Sequence, residues 1–387
     1  MQFRAGVEVA VGVAVLVLGV GWSTGRLDRV APLVVVEAPG PPRGVVVVEV
    51  HADDRVPGVA GLQGAVDEGP LAPIVAGDWS IDTTALADGA HRVRVVAEDG
   101  AWWPNVATTT AVLDVDNTPP ALTVHPRSTG AAQAEVLAVW VHTDEPLVDP
   151  VVVGLDQSAP LVDFGEGWWR ALLGVALETS PGDHPLTVTT TDRAGNVAKL
   201  DWTVTVAATT FRNGGHIRLS KAQTRARTDR AAIDQMRTER DGAYTHWAPG
   251  RTLTGPMLRP VVGRLTSPFG QFRTYSDGRK THHKGTDLAN LTGTPVVAAA
   301  AGEVRVAGEQ HLFGNVVILN HGQRLATSYN HLSAIHVRVG DIVEAGQHIG
   351  DLGSTGQSTG PHLHWGMQVG LVEVDPELWP ADGFARP

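Results

Sequence analysis

The 387-residue chain contains no cysteine. Disulfides, thiolate-bound metals, a cysteine nucleophile and a lipid-carrying N-terminal cysteine are all excluded. Positive charge is in deficit: 30 Lys and Arg against 41 Asp and Glu give a net −11 at pH 7. That balance argues against nucleic acid as a partner, which needs a basic excess. No lysine follows Lys284. Continuously apolar runs are scarce as well. The exception lies at the N-terminus, where Arg4 precedes an apolar stretch from Val9 to Trp22. It is short for a membrane span of ~20 residues and fits the apolar core of an export signal, with Gly19-Val20-Gly21 as a small-residue cleavage site. Residues 1–30 are therefore expected to be a signal peptide or an uncleaved signal anchor.

What the chain does have, from about Pro32 to Val206, is short alternating apolar runs broken by Gly, Pro and Asp. Gly44–Val50, Arg92–Val96 and Leu186–Thr190 are examples. Such spacing predicts β-sandwiches rather than α/β units. An internal repeat supports this: 93 residues separate His91 from His184, and the same number separates Asp99 from Asp192. A period near 90 is about the size of one immunoglobulin-like sandwich. The loop Asp192–Asn196 resembles the D-x-A-G-N turn of bacterial immunoglobulin-like modules, and Asn117-Thr118-Pro119-Pro120 resembles the linker between them. Two tandem immunoglobulin-like sandwiches are expected, at 32–116 and 119–207, acting as spacers or docking units for envelope partners. Trp102-Trp103 and Trp168-Trp169 are weaker candidates for ligand-binding surfaces.

Residues 208–255 read as a linker. Within them, Leu219 to about Ala243 is rich in Arg and lacks Pro or Gly until Gly242, which predicts one charged, solvated helix. Residues 256–380 return to short strands with dense glycine. This pattern suggests a compact sheet with tight turns and close backbone approach to a substrate. The predicted architecture is therefore mostly β.

The C-terminal region carries the chemistry. His283 and Asp287 are spaced i, i+4, and His362 and His364 i, i+2. Even spacing in extended chain puts each pair on one face, with Leu363 turned into the core. Imidazole nitrogen plus carboxylate oxygen suits Zn2+, and three protein ligands describe an open, catalytic site. His331 ends an alternating strand, Leu325-Thr327-Tyr329-His331, read as sharing one face. If His283, Asp287 and one of His362 and His364 hold the metal, two imidazoles remain for proton transfer and oxyanion stabilisation. The spacing does not decide between His362 and His364. His282 has odd parity to His283 and is expected to point away. His311, His321, His336 and His348 read as surface or loop histidines outside the metal site.

These motifs together resemble the M23 family of zinc metallopeptidases, the lysostaphin and LytM type. His283-Lys284-Gly285-Thr286-Asp287 matches H-x-G-x-D, and Tyr329-Asn330-His331-Leu332 matches Y-x-H-L. Gly340-Asp341-Ile342-Val343 with Gly346-Gln347-His348-Ile349-Gly350 matches the G-D-x-V-x-x-G-Q-x-I-G stretch. Residues from Ser354 to His364 match S-T-G-x-S-T-G-P-H-L-H. The Gly340–Gly350 stretch alone also resembles biotinyl and lipoyl carriers, but those need a lysine that is absent after Lys284.

The resemblance covers about a third of the chain and implies a β-rich fold with a groove over the sheet. It implies His283, Asp287 and His364 as zinc ligands and His331 and His362 as catalytic histidines. It further implies an exported bacterial enzyme of the periplasm or cell envelope, with the N-terminal segment as its inner-membrane anchor if uncleaved. The substrate it implies is the stem peptides of peptidoglycan, cut as an endopeptidase by metal-activated water. D-alanyl–diaminopimelate cross-links are favoured over glycine bridges, because an Ala- and Val-rich exported chain without a wall-sorting tail suits a thin-walled envelope. The alternatives are a catalytically latent LytM-type regulator that binds wall peptide and activates another hydrolase, and an immunoglobulin-like surface scaffold.

Overall fold

The computed structural model describes residues 32–37, 43–54, 58–75, 77–101, 104–247 and 253–387. The N-terminal apolar run and Trp102-Trp103 lie outside them. No helix among the described residues is long and apolar enough to cross a membrane. Strands dominate, and the chain divides into two compact units.

The first unit runs up to Ala121 and includes Glu145–Val148 and Thr190–Ala198. A three-stranded sheet (Leu33–Glu37, Val45–Asp53, Asp78–Asp82) faces a four-stranded one (Ala72–Pro73, Val59–Val66, Gly89–Asp99, Val106–Val115). Alternation drives the packing: Val46, Val48 and Val50 are buried while Val45 and Val47 face solvent. They meet Val93, Val95 and Leu113 of the other sheet. Gly64 leaves space for the Trp79 ring, which a Cβ would approach to 2.5 Å.

The sequence repeat is reproduced in hydrogen bonds. Asp99 accepts from the backbone and side chain of Asn105, and Asp192 accepts likewise from Asn196. The His91 and His184 rings each bond the carbonyl four residues earlier, Ala87 and Ser180.

The second unit comprises Leu122–Asp144, Asp149–Thr189 and Lys199–Pro387. It opens with a second sandwich, a sheet ordered Val162–Asp163, Trp168–Gly174, Val136–Thr143, Leu122–Val124 against one of five strands. Its core is built by Leu137, Val139, Val141, Leu173, Val188 and Val204. The strand Val136–Thr143 is buried almost throughout, which explains its near-continuous apolar sequence. Its other face, Val136, Ala138 and Trp140, packs with Leu172 against Leu325, Met367 and Val374 of the C-terminal domain. The sandwich is therefore cored into that domain rather than a free spacer. Trp168 and Trp169 are both half-buried: Trp168 abuts the Trp140 and His142 rings, and Trp169 packs on the sandwich core.

The C-terminal domain is built on an antiparallel sheet ordered Arg264–Ser267, Thr286–Ala289, Leu363–Val369, Leu325–Leu332, Gly314–Gly322, Gly302–Gln310, Ile342–Val343. One face is the core, with Leu288, Leu363, Trp365, Tyr329, Val317 and Leu319. A small sheet of Pro295–Val297, His348–Asp351 and Ala334–Ile335 is joined to this domain by the chain.

The segment expected as a linker is also integrated. Asn213–Ile217 pairs in parallel with Phe272–Tyr275, extending a sheet edge. The single helix expected from Leu219 is two, Lys221–Ala226 and Arg230–Tyr244. The break arises because Asp229 caps the second helix, its side chain accepting from the Ala232 N–H. Nor is that helix merely solvated: Met236, Arg240, Ala243 and Tyr244 are buried, the last two against Val316, Ile318 and Ala326.

Candidate metal centre

The five predicted residues come together on the face of the large sheet opposite its core. Strand pairing places Asp287 opposite His364 and Asn330 opposite His364 on the other side. Leu363, between His362 and His364, is fully buried in the core, as alternation requires. His283 is not on a strand; it sits in the turn between Lys280–His282 and Thr286–Ala289. Gly285 makes that turn compatible with the site. A Cβ there would lie 2.7 Å from both His364 Cε1 and the Trp365 carbonyl oxygen.

Three donors converge. His283 Nε2 and His364 Nδ1 are 2.9 Å apart, and they stand 3.0 and 2.9 Å from Asp287 Oδ1. At Zn–N distances of about 2.0–2.1 Å, tetrahedral ligands stand roughly 3.3 Å apart. The trio therefore has the chemistry and nearly the spacing that zinc needs. Each remaining edge of the site is tied down, as orientation of metal ligands requires. His283 Nδ1 donates to the Pro268 carbonyl at 3.1 Å, leaving Nε2 for the metal. Arg273 Nη2 bonds the outer oxygen of Asp287 at 3.1 Å, so Oδ1 is the one turned inward.

His362 and His331 stand beside this trio. His362 Nε2 is 3.7 Å from Asp287 Oδ1, and its Nδ1 donates to the Gly360 carbonyl at 2.8 Å. His331 Nδ1 donates to the Thr355 carbonyl at 2.8 Å. Both rings thus keep Nε2 free, and their centroids are 4.9 Å apart.

His331 does not reach the site by alternation. Tyr329, two residues earlier, is in the core, its hydroxyl accepting from the Ala299 N–H. His331 has φ +65°, the left-handed region that costs a bulky residue free energy. That reversal at the strand end swings the imidazole to the site face. The conformation is held by its own N–H on the Phe313 carbonyl as well as by its ring on Thr355. The shared face expected for Tyr329 and His331 is therefore wrong, and Asn330 takes the regular site-facing position.

Sequence reasoning missed the supports. Asn330 Nδ2 donates to the His364 carbonyl, and its Oδ1 accepts from Arg240 of the Arg230–Tyr244 helix at 3.1 Å. The Arg240 guanidinium lies 4.2 Å from the Phe313 ring, which stacks near His364. Motif spacing gives no signal for such pairings between distant segments. Of the other histidines, His282 packs on Phe272 and Phe211, away from the trio. His321 is buried, not at the surface, where it bonds the Ala301 carbonyl and Thr327. His311 bonds the carbonyl of Ala226.

Burial pulls the His364 ring down to about 4, which keeps that imidazole neutral beside the carboxylate. Burial raises the Asp287 carboxyl, but hydrogen bonds from His283 and His364 outweigh it and hold the group far below the usual carboxylate range. Burial, with His364 and His362 nearby, pulls His331 down to about 3. Folded His331 thus refuses a proton that the unfolded chain binds below 6.5. Its contribution to stability is present above pH 6.5 and is lost as pH falls toward 3. We predict that the melting temperature of the chelator-treated protein falls steadily from pH 6.5 to 4. His331→Gln, which cannot titrate, should make that fall shallower; an equal slope in both proteins would refute the assignment.

A cleft of about 1000 Å³ opens over the trio. One wall carries His283, Asp287, His331, His362 and His364; the other is built by Ile233, Met236, Arg237 and Arg240 of the upstream helix.

Comparison with known proteins now bears on this site. The peptidase family M23 profile matches residues 281–376. The peptidoglycan DD-endopeptidase ShyC of Vibrio cholerae is 36% identical over 130 residues, 33% of this chain and 30% of that protein. The DD-carboxypeptidase/endopeptidase Mpg of Neisseria meningitidis is 40% identical over 138 residues, 33% of this chain and 32% of that one. The chain thus spans about three tenths of the length of these curated relatives. Among solved structures, the catalytic domain of the antimicrobial peptidase lysostaphin from Staphylococcus simulans is 35% identical, covering 30% of this chain and 90% of that one, with a TM-score of 0.27. The C-terminal domain, which carries all five motif residues, is thus a peptidase family M23 domain.

Proposed function

We propose that the C-terminal domain is a zinc-dependent endopeptidase that hydrolyses peptide cross-links of bacterial peptidoglycan, D-alanyl–diaminopimelate bonds first among them. The observation that carries this is the convergence of His283, Asp287 and His364 beside two imidazoles whose Nε2 atoms are free. The names of the relatives, which act as DD-endopeptidases, support the bond class. Zinc held by the trio would polarise a scissile carbonyl and acidify water. The chain's own residues do the rest. A free Nε2 of His331 or His362 accepts a proton from the attacking water and returns it to the leaving amine, base then acid. Their Nδ1 bonds to Thr355 and Gly360 fix both rings for that exchange. Asn330 and Arg240 keep the His364 strand in place.

In this reading the N-terminal apolar run exports the chain to the envelope, and the sandwiches position the peptidase there as immunoglobulin-like modules. The test is a digest of purified peptidoglycan with the zinc-loaded full chain, read by mass spectrometry. Uncross-linked stem peptides should appear, vanish on chelation and return with zinc. A chain that binds one zinc at the trio yet releases no peptide would refute the enzyme reading and favour a regulator.

A further inference from the structure

His336, His348 and Asp351 form a second convergent donor set. His336 Nε2 lies 2.8 Å from Asp351 Oδ2, and His348 Nε2 lies 2.9 Å from Asp351 Oδ1. All three donor atoms fall within 4.8 Å of one another. The histidine–carboxylate distances are close to those in the trio, although here each imidazole meets a different oxygen of the carboxylate. None of the three residues lines the cleft.

The backbone beneath them is fixed. Asp351 belongs to the middle strand of the small sheet, paired with Pro295 on one side and Ala334 on the other. His348 pairs with Val297, and the His336 N–H donates to the Ile349 carbonyl at 3.0 Å. His348 and Asp351 lie on a paired strand and His336 directly follows one, so a metal does not have to order their backbone. The side chains are open to solvent, at 41% and 47% exposure for the histidines and 22% for Asp351. Two imidazoles and a carboxylate with water in the remaining position match a zinc donor set.

We propose that His336, His348 and Asp351 bind a second zinc ion, separate from the catalytic centre. Its place in the chain gives it a task. The Ala334–Ile335 strand begins three residues after His331. Asp351 is two residues before Gly353, whose carbonyl accepts the His362 N–H at 3.0 Å. A metal across His336, His348 and Asp351 staples together the two segments that lead to the catalytic histidines. It is a structural clamp, and it stabilises the folded chain by mass action.

The test is equilibrium dialysis of the chelator-stripped full chain against zinc chloride at micromolar free zinc, with bound metal counted by mass spectrometry. Wild type should hold two zinc ions. His348→Asn and His336→Asn should each hold one, as should His364→Ala, and His348→Asn combined with His364→Ala should hold none. In a His364→Ala background, cobalt should still give tetrahedral visible bands that His348→Asn abolishes, a readout independent of zinc counting. One zinc in wild type, or two in a folded His348→Asn, would overturn the proposal and leave a hydrogen-bonded surface cluster only.

Discussion

In zinc-loaded protein, His362→Ala lowers the rate of cross-link cleavage by about 10²–10⁴-fold and leaves the metal at the trio in place. His364→Ala removes both. Spacing alone cannot separate these two histidines, because they share one face of one strand. The geometry does separate them. His364 Nδ1 stands 2.9 Å from both His283 Nε2 and Asp287 Oδ1, inside the donor trio. His362 Nε2 is 3.7 Å from the same oxygen, and its ring is anchored from the other side by Gly360. A group so placed meets a water or a substrate amine in the cleft, not the metal. Its removal costs proton transfer, whose typical worth sets the expected factor. Peptide release followed by chromatography gives the rate, and metal content is read on the same samples. Loss of zinc from His362→Ala, or activity within tenfold of wild type, would contradict the assignment.

The fold and site were legible in the sequence wherever local rules decide them. Alternation marked Gly44–Val50 as a strand and put Leu363 behind His362 and His364. The 93-residue repeat predicted the matched Asp–Asn loops. The motifs picked out five residues that the fold brings together, because H-x-G-x-D, Y-x-H-L and H-x-H each fix theirs within a few positions. What was not legible depended on long-range contacts or on a local exception. The φ of +65° at His331 breaks the alternation that its strand otherwise obeys. Arg240 reads as one more charge on a solvated helix, yet it is buried against Phe313, Gln310 and Asn330. Asp229 looks like an ordinary helix residue until its side chain is seen capping the second helix. The supposed linker becomes a sheet edge and a cleft wall only because its partners lie about 60 to 140 residues away, a separation on which sequence periodicity is silent.

Arg170→Ala destabilises the second unit on the order of 3–5 kcal/mol. Arg170 is fully buried, and among the described residues its hydrogen bonds run to an amide and to carbonyls rather than to a carboxylate. Burial pulls its guanidinium down to about 10, so it stays charged at neutral pH. Its charge is met by oxygens and rings instead. Nε and Nη2 donate to Gln323 Oε1, Nη1 to the Phe384 carbonyl at 2.9 Å, and Nη2 also to the Leu253 carbonyl at 2.8 Å. The Phe164 and Trp140 rings lie 4.4 and 5.4 Å from the guanidinium carbon. Gln323 returns a bond to the Arg170 carbonyl at 3.0 Å. Truncation strands several buried acceptors, each at about 1–3 kcal/mol if unrelieved, and empties the space between two aromatic rings. The consequence reaches the site through Gln323 and Arg324. Their φ values of +48° and +60° make the hairpin turn that starts the Leu325–Leu332 strand, a turn that favours Gly and Asn. Arg170 on Gln323, and Arg324 on the Ser158 carbonyl at 2.5 Å, hold those strained residues from the sandwich side. Calorimetry should show a melting temperature lower by roughly 10 °C at 2–4 °C per kcal/mol. Arg170→Lys should recover little, because one ammonium cannot reproduce the forked contact to Gln323 and two carbonyls. A cycle with Gln323→Leu should give strongly non-additive losses, since the two residues share one network. Additive losses, or a melting temperature unchanged in Arg170→Ala, would mean that the sandwich and the C-terminal domain stand independently and that the hairpin before the Leu325–Leu332 strand needs no support from it.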